Sequence, residues 1–454
     1  IWDVLDEKIQ EEPGAFLSAV NSYATRKKNI RIYLLIDEYD NFTNTILSTY
    51  GTEFYRKATH GEGFIRGFFN VIKSATTGTG AALERLFITG VSPVTMDDVT
   101  SGFNIGTNIT NDSWFNDLVG FSENELREML EYYKEQGVLQ ESIDEIVAMM
   151  KPNYDNYCFS EDTLEQCMFN SDMALYFLKS FVLHHKKPKE IVDPNIRTDF
   201  NKLAYLIKLD HGLGENFSVI KEIAEQGEII TDIVTHFSAL EMTDPSNFKS
   251  LLFYFGLLSI KGVDMVGRPI LHVPNLVVRE QLFNFLIQGY IKHDIFKIDM
   301  NKMSALFENM AFRGDWKPLF DFIANAVREQ SRIREYIEGE AHIKGFLLAY
   351  LGMYRYYQLY PEYELNKGFA DFFFKPSLSV PVLPPFTYLL EVKYAKAGAS
   401  EKEIRALADE AREQLLRYSE DELVAEAKAK GELKLITIVW RSWELVLLEE
   451  VTLS

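Results

Sequence analysis

The chain predicts a multidomain protein of mixed α/β and α+β class, on three observations. Near the N-terminus, Arg31-Ile-Tyr-Leu-Leu-Ile-Asp37-Glu38 is a continuous apolar run closed by acids. Such a run marks a strand buried on both faces, as in a parallel sheet. Near the C-terminus the pattern reads helix, strand, strand, helix, strand between Glu340 and Trp440. Finally, 454 residues exceed what one hydrophobic core serves, so about three domains are expected. Their expected spans are 1–190, with a helical lid from about 121, then 191–335 and 336–454.

In the first domain, acids at the carboxyl end of a buried strand stand where α/β sheets bind ligands. Five apolar residues followed by Asp-Glu form the Walker B pattern, in which Asp37 holds the Mg²⁺ of a nucleotide and Glu38 positions the attacking water. A second buried strand, Arg85-Leu-Phe-Ile-Thr89-Gly-Val-Ser92, places Thr89 or Ser92 where a γ-phosphate could be sensed. The phosphate loop Gly-x-x-x-x-Gly-Lys-Ser/Thr is not found; Thr77-Gly-Thr-Gly80 has the glycines without the lysine. About 30 residues precede Ile32 and there is no initiator Met. The expectation is therefore a chain that begins after the loop, with ATP as cofactor if that loop exists upstream. In the lid, Ser122-Glu-Asn-Glu125 is a capping box, and 163–170 and 172–184 are expected to be helical.

The middle domain mixes helices with two expected strands, 251–260 and 269–273, around the turn Gly262-Val-Asp-Met-Val-Gly267. A hairpin after helices is the outline of a winged helix. Without a basic recognition helix, its expected role is packing. A helical connector over 294–338 should bury Leu306, Met310, Phe312, Leu319, Phe320 and Ile323.

In the third domain, Gly368-Phe-Ala-Asp371-Phe-Phe-Phe374 and Tyr388-Leu-Leu-Glu391-Val-Lys393 read as neighbouring strands. Side chains alternate along a strand, so Glu391 and Lys393 share a face with Val392 behind them. With Asp371 opposite, two carboxylates and an ammonium converge. Hard oxygens of this kind hold Mg²⁺, and a lysine orients water and steadies a phosphorane, a set suited to phosphodiester hydrolysis. Glu-x-Lys alone more often keeps a strand edge soluble; its context raises its meaning. After it, 401–419 reads as an amphipathic helix with Ala406, Leu407, Ala411, Leu415 and Tyr418 inward and Gln414 beside that stripe, and 433–440 is a last strand.

This order and these residues resemble the PD-(D/E)XK nuclease superfamily, over about 334–451, in the form paired with the AAA-ATPase-like family. Leu-Ile-Asp-Glu-Tyr-Asp-Asn and Ile-Thr-Gly-Val-Ser-Pro-Val-Thr of the first domain resemble the latter family. The resemblance implies a partial P-loop NTPase-like sheet and a restriction-endonuclease-like C-terminal fold. It implies a metal-dependent nuclease acting on DNA, in a bacterial protein, with the ATPase-like half gating access. It carries the helix glutamate onto Glu340, the aspartate onto Asp371, the E-x-K pair onto Glu391 and Lys393, and the trailing glutamine onto Gln414. Mg²⁺ or Mn²⁺ would lie on Asp371, Glu391 and the Val392 carbonyl. The family often has Gly-Arg-x-Asp at the metal site; here Phe369 stands for the arginine, which removes one substrate contact.

Bulk composition narrows the rest. The net charge of −20 argues against broad coating of nucleic acid, whose phosphates dominate such affinity. Two cysteines and eight scattered histidines supply neither a disulfide framework nor a zinc motif, and suit a reducing, cytoplasmic compartment. No apolar run is long enough for a membrane span. A homo-oligomer is compatible with these features. A second reading is a nucleotide-responsive switch or scaffold whose nuclease fold binds without cutting, favoured by the charge and by Phe369.

Overall fold

The computed structural model describes residues 13–26, 30–77, 81–93, 96, 98, 106–188, 191–192, 215–292, 299–329, 339–354, 356–365, 368–377, 380 and 382–452. Gly78 to Gly80, and the expected domain boundaries near 190 and 335, lie outside or at the edge of these described residues.

The N-terminal unit pairs two parallel strands, β1 (Ile32–Ile36) and β2 (Leu83–Ile88), in register from Tyr33↔Arg85 to Ile36↔Ile88. Around them run α1 (Pro13–Arg26), α2 (Asn41–Thr59) and α3 (Phe64–Thr76). Leu17, Ile65, Phe69, Ile72 and Leu83 form the core of this unit. The expected burial of β1 on both faces is not met: Tyr33 and Leu35 are 67% and 75% exposed. Ile32, Leu34 and Ile36 turn toward the helices, and among the described residues nothing covers the alternate side chains.

In the region expected to be a lid, α4 (Glu123–Glu135) starts on the predicted capping box, with Ser122 accepting from the Glu125 N–H while Glu125 accepts from the Ser122 N–H. Helices α5 (Ile143–Tyr154) and α6 (Ser171–His184) follow. The helix expected over 163–170 is not formed; a single 3-10 turn, Glu161–Thr163, ends where it was to begin. Met168 and Phe169 are extended and bridge Tyr157 and Phe121. Asn170 explains this: it caps α6 by accepting from the Met173 N–H, and a cap needs extended backbone at its entry.

The middle region contains α7 (Glu215–Gln226), β3 (Glu228–Ile230), α8 (Pro245–Tyr254), β4 (Ser259–Val263), β5 (Pro269–His272), α9 (Leu276–Lys292), α10 (Met300–Arg313) and α11 (Lys317–Glu329). The strands form an antiparallel sheet in the order β3-β5-β4. The first half of the expected strand 251–260 is instead the end of α8. Asp244 at the N-cap and Pro245 at the first helical position start a helix that the apolar run then continues. The β4–β5 turn closes on Asp264, whose carboxylate accepts from the Val266 and Arg268 N–H groups, with Gly267 at φ 86°.

The C-terminal unit is a five-stranded sheet in the order β10-β9-β8-β7-β6, with strands β6 (Tyr357–Leu365), β7 (Gly368–Pro376), β8 (Phe386–Ala395), β9 (Glu432–Arg441) and β10 (Glu444–Val451). β8 and β9 are parallel, joined through α13 (Glu401–Tyr418) and α14 (Glu422–Lys430); the other pairs are antiparallel. Helix α12 (Glu340–Leu351) precedes the sheet. Phe372, Phe374, Leu390, Val392, Ile436, Ile438 and Trp440 point into one layer with α7 to α12. Phe373, Leu389, Leu433 and Leu435 point into the other with α13 and α14.

The outer strands β6 and β10 extend the expected strand order by one at each edge. Both carry glutamates, and β6 carries Pro361, which suits an edge and hides a strand from a pattern search. On α13 the buried face is Ile404, Ala408, Ala411, Leu415 and Tyr418, so the expected inward Ala406 faces solvent.

His272 ends β5 half-buried, and burial, with Lys261 nearby, pushes its pKa down to about 4. Its folded pKa lies below the unfolded value of about 6.5. The unfolded chain therefore binds the proton more readily, and stability falls as pH drops from about 6.5 toward 4. Replacing His272 by Gln should flatten the stability loss between pH 7 and pH 5 by an amount on the order of 1–2 kcal/mol, read from urea midpoints. An identical pH dependence in the variant would refute this account.

Candidate active site

The site begins where a ladder stops. β7 and β8 pair at Phe374↔Tyr388, Phe373↔Leu389 and Phe372↔Leu390, and the next position would set Asp371 opposite Glu391. No pair forms there. Alternation slips at the same place: Ala370 and Phe373 pack in the same layer, as do Tyr360 and Tyr363 across from them on β6. Pro361↔Phe372 and Tyr363↔Ala370 are in register, so Glu362 faces Asp371, and Glu362 takes the left-handed backbone at φ 43°. That conformation costs a non-glycine residue on the order of 1 kcal/mol or more and needs support from its surroundings.

Into the opening goes the Asp371 carboxylate. Its Oδ2 accepts the Val392 N–H at 2.6 Å, in place of the missing ladder bond. A strand residue turns its N–H and C=O to the same side, so the Val392 carbonyl opens on the same gap. Asp371 and Glu391 are both buried, 5% and 2% exposed. Burial first, and then the neighbouring Asp371 charge, push the Glu391 pKa well above the usual carboxylate range. Glu391 Oε1 is buried and, among the described residues, has no hydrogen-bond partner.

Two lysines answer these acids from opposite sides. Lys344, on α12, pairs with Asp371 Oδ1, with Glu340 at 3.0 Å and with Glu362 at 3.1 Å. Burial alone would depress its ammonium, but these partners outweigh that and hold its pKa well above the ordinary value. Lys393 lies 3.9 Å from Glu391 and 3.1 Å from Glu410 of α13. One turn on, Gln414 Oε1 is buried without a hydrogen-bond partner. A cleft of about 640 Å³ opens on the Lys344 side, lined among others by Glu225, Glu340, Lys344, Glu362, Phe369 and Asp371.

Of the residues expected from sequence, Asp371, Glu391, Val392 and Lys393 come together, and Glu340 joins them through Lys344. Gln414 sits on the helix that covers the strand pair, beside Glu410. Sequence reading missed Lys344, Glu362 and Glu410. Lys344 had a signal, since it lies four residues after Glu340 at the start of a helix that is apolar from Gly345 on. Glu362 and Glu410 had none.

The second expected site is smaller. Thr89 Oγ1 donates to Asp37 Oδ1, and the same oxygen accepts the Glu38 N–H at 2.9 Å. The Glu38 carboxylate instead takes the Asn41 side-chain N–H at 2.9 Å, from a left-handed backbone at φ 51°. Asp40 is buried and accepts the Val91 and Ser92 N–H groups. β1 and β2 thus close on each other through acids, and Asp37 and Thr89 meet at the carboxyl ends of the two strands.

With this geometry in view, residues 338–450 match the model of the PD-(D/E)XK nuclease superfamily. The C-terminal domain is similar to that superfamily over this span. Residues 3–100 match the model of a predicted AAA-ATPase, so the nuclease-superfamily domain follows an AAA-ATPase-like one. No curated protein matches the chain. No helix among the described residues is long and apolar enough to cross a membrane.

PD-(D/E)XK nucleases typically use divalent metals, and the donor set here fits one. The buried, unpartnered Glu391 Oε1, the Asp371 carboxylate and the Val392 carbonyl are hard oxygens around one gap. Among the described residues no three His, Cys, Asp or Glu side chains are grouped as a metal site, so the set rests on two carboxylates and a backbone oxygen.

Lys344 is the counter-charge of Asp371 when no cation is present. Replacing Lys344 by Met should lower stability by about 3 kcal/mol in urea unfolding with EDTA, because it leaves a buried carboxylate unpaired. Mg²⁺ should restore part of that loss. Equal stability of variant and wild type in EDTA would show that the pair carries no such weight.

Proposed function

We propose that the C-terminal domain hydrolyses phosphodiester bonds in DNA with the help of Mg²⁺ or Mn²⁺, regulated by the ATPase-like domain. The observation that carries this reading is the buried Glu391 oxygen without a partner, beside Asp371, where β7 and β8 part. A cation-binding function accounts for an arrangement that otherwise only costs stability.

In this reading Asp371, Glu391 and the Val392 carbonyl hold the cation. When bound, it supplies Lewis-acid polarisation of the phosphoryl oxygen and lowers the pKa of bound water. Lys393 donates to the attacking water and to the oxygen that gains negative charge at phosphorus. Glu410 steadies the Lys393 ammonium from the helix side. Gln414, with its buried amide oxygen, holds water or substrate. Glu340 acts one layer out, fixing Lys344 against Asp371. Because the chain is strongly acidic, substrate contact is confined to the cleft and to the cation. Asp37 and Thr89 fit the nucleotide-facing end of an ATPase sheet, with Glu38 as the water-positioning acid once released from Asn41. ATP as ligand requires the phosphate loop.

The second reading, a switch or scaffold that does not cut, is favoured by the Lys344–Asp371 ion pair, which satisfies one carboxylate without any cation. It is also favoured by Phe369, exposed at the rim where the family often has arginine.

The test is cleavage of linear, circular and single-stranded DNA with Mg²⁺ or Mn²⁺. Glu391→Ala and Lys393→Ala should each reduce the rate by about a hundredfold or more. Cleavage that persists in both variants would remove this site from the chemistry. Absence of cleavage by wild-type protein that still binds Mn²⁺ would select the scaffold reading.

A further inference from the structure

A second cavity lies away from the acids, between lid helix α5, the start of α9, and β6. It encloses about 50 Å³ and is lined among others by Asn153, Leu276, Val277, Arg279, Tyr357 and Ser377. That is several times the ~10–15 Å³ one water requires. Two of its polar groups have no hydrogen-bond partner among the described residues. The Arg279 Nη1 is buried without a hydrogen-bond partner, and so is the Tyr357 hydroxyl, on a side chain only 7% exposed. Among the described residues no carboxylate forms an ion pair with Arg279; its guanidinium stacks on Tyr360, 4.9 Å from the ring centroid. Burial accordingly pushes the Arg279 pKa below its ordinary value. Glu280 also lines the cavity, the one acid among its described lining residues.

The cavity also meets the first turn of α9, a helix of 17 residues. Asn275 caps it, taking the Val278 N–H on Oδ1 at 3.2 Å, while the Arg279 N–H bonds the Asn275 carbonyl. The Leu276 and Val277 N–H groups precede any intrahelical acceptor. A guanidinium, a phenol and the N–H end of a helix around one small space make an anion site. A buried charge without a partner is otherwise one of the costliest features a fold can keep.

We propose that this cavity binds a phosphate-sized oxyanion, held by Arg279, Tyr357 and the N-terminus of α9. Its occupant ties the lid helix α5 to β6, the strand that also carries Glu362. The shared chemistry is a phosphate group, which inorganic phosphate or a terminal phosphate on DNA could supply. The inference does not depend on the nuclease reading.

The test uses the full chain, with phosphate against chloride at matched ionic strength, read by thermal unfolding and by calorimetric titration. Wild type should bind and its Tm should climb with phosphate concentration. Arg279→Gln should weaken binding at least about tenfold, and Tyr357→Phe severalfold, since each removes a hydrogen bond to a charged group. Where Arg279→Gln does not fold, Tyr357→Phe decides. Oligonucleotides with a 5′-phosphate and a 5′-hydroxyl distinguish the sources: a preference for the phosphate that Arg279→Gln abolishes identifies a DNA end, and binding of inorganic phosphate alone identifies the free ion. An equal Tm rise in wild type and both variants would be the general effect of an excluded anion, and would overturn the proposal. So would the absence of any phosphate binding by wild type.

Discussion

The hydrogen bond from the Val392 N–H to Asp371 is the constraint on which the C-terminal domain depends. A sheet normally closes the gap between neighbouring strands with backbone pairs. Here the side chain of one strand takes the place of its own backbone, and the β7–β8 ladder ends at Phe372↔Leu390. Everything chemically useful follows from that substitution. The Val392 carbonyl is freed from a ladder partner on that side, Glu391 is left beside a like charge, and Lys344 gains a path to Asp371. Glu362 absorbs the accompanying twist in its own backbone, and Lys344 rewards it with an ion pair.

Such a gap must be held open by a stiff surround. The sheet supplies it through the two apolar layers that alternate along β7, β8 and β9, with Phe372, Leu390 and Val392 on one side and Phe373 and Leu389 on the other. The first layer is continuous with α7 to α11, so the middle region and the sheet share a core. Rotation of the middle helices against the sheet would therefore disrupt buried contacts, and motion at the site is expected to be local. The cleft is walled by both parts, with Glu225 from α7 and Glu340 and Lys344 from α12.

What the sequence disclosed follows from where each signal is strong. Asp371, Glu391 and Lys393 were legible because apolar strands frame them, and a carboxylate inside such a run has few structural uses. The helix 401–418 was legible from its period, although its exact face was not: Ala406 is too weakly apolar to decide between two adjacent stripes, and Ile404 and Ala408 decide it instead. The edge strands were hidden because edges carry charges and proline. Lys344, Glu362 and Glu410 were hidden because their meaning is positional, each a common surface residue until the fold sets it against an acid or a lysine.

The same reasoning separates the two halves of the chain. In the N-terminal unit Asp37 and Thr89 satisfy each other, and Glu38 is engaged by Asn41. Its acids are thus internally balanced, and only a ligand with stronger interactions would draw them out. In the C-terminal unit the balance is incomplete: Lys344 answers Asp371, Lys393 stands at 3.9 Å from Glu391, and one oxygen of Glu391 has no partner. A buried carboxyl in that state is satisfied by a proton, as its raised pKa shows, or by a cation that displaces the proton. Both lysines already hold other carboxylates, Lys344 those of Asp371, Glu340 and Glu362 and Lys393 that of Glu410, so neither is dedicated to Glu391.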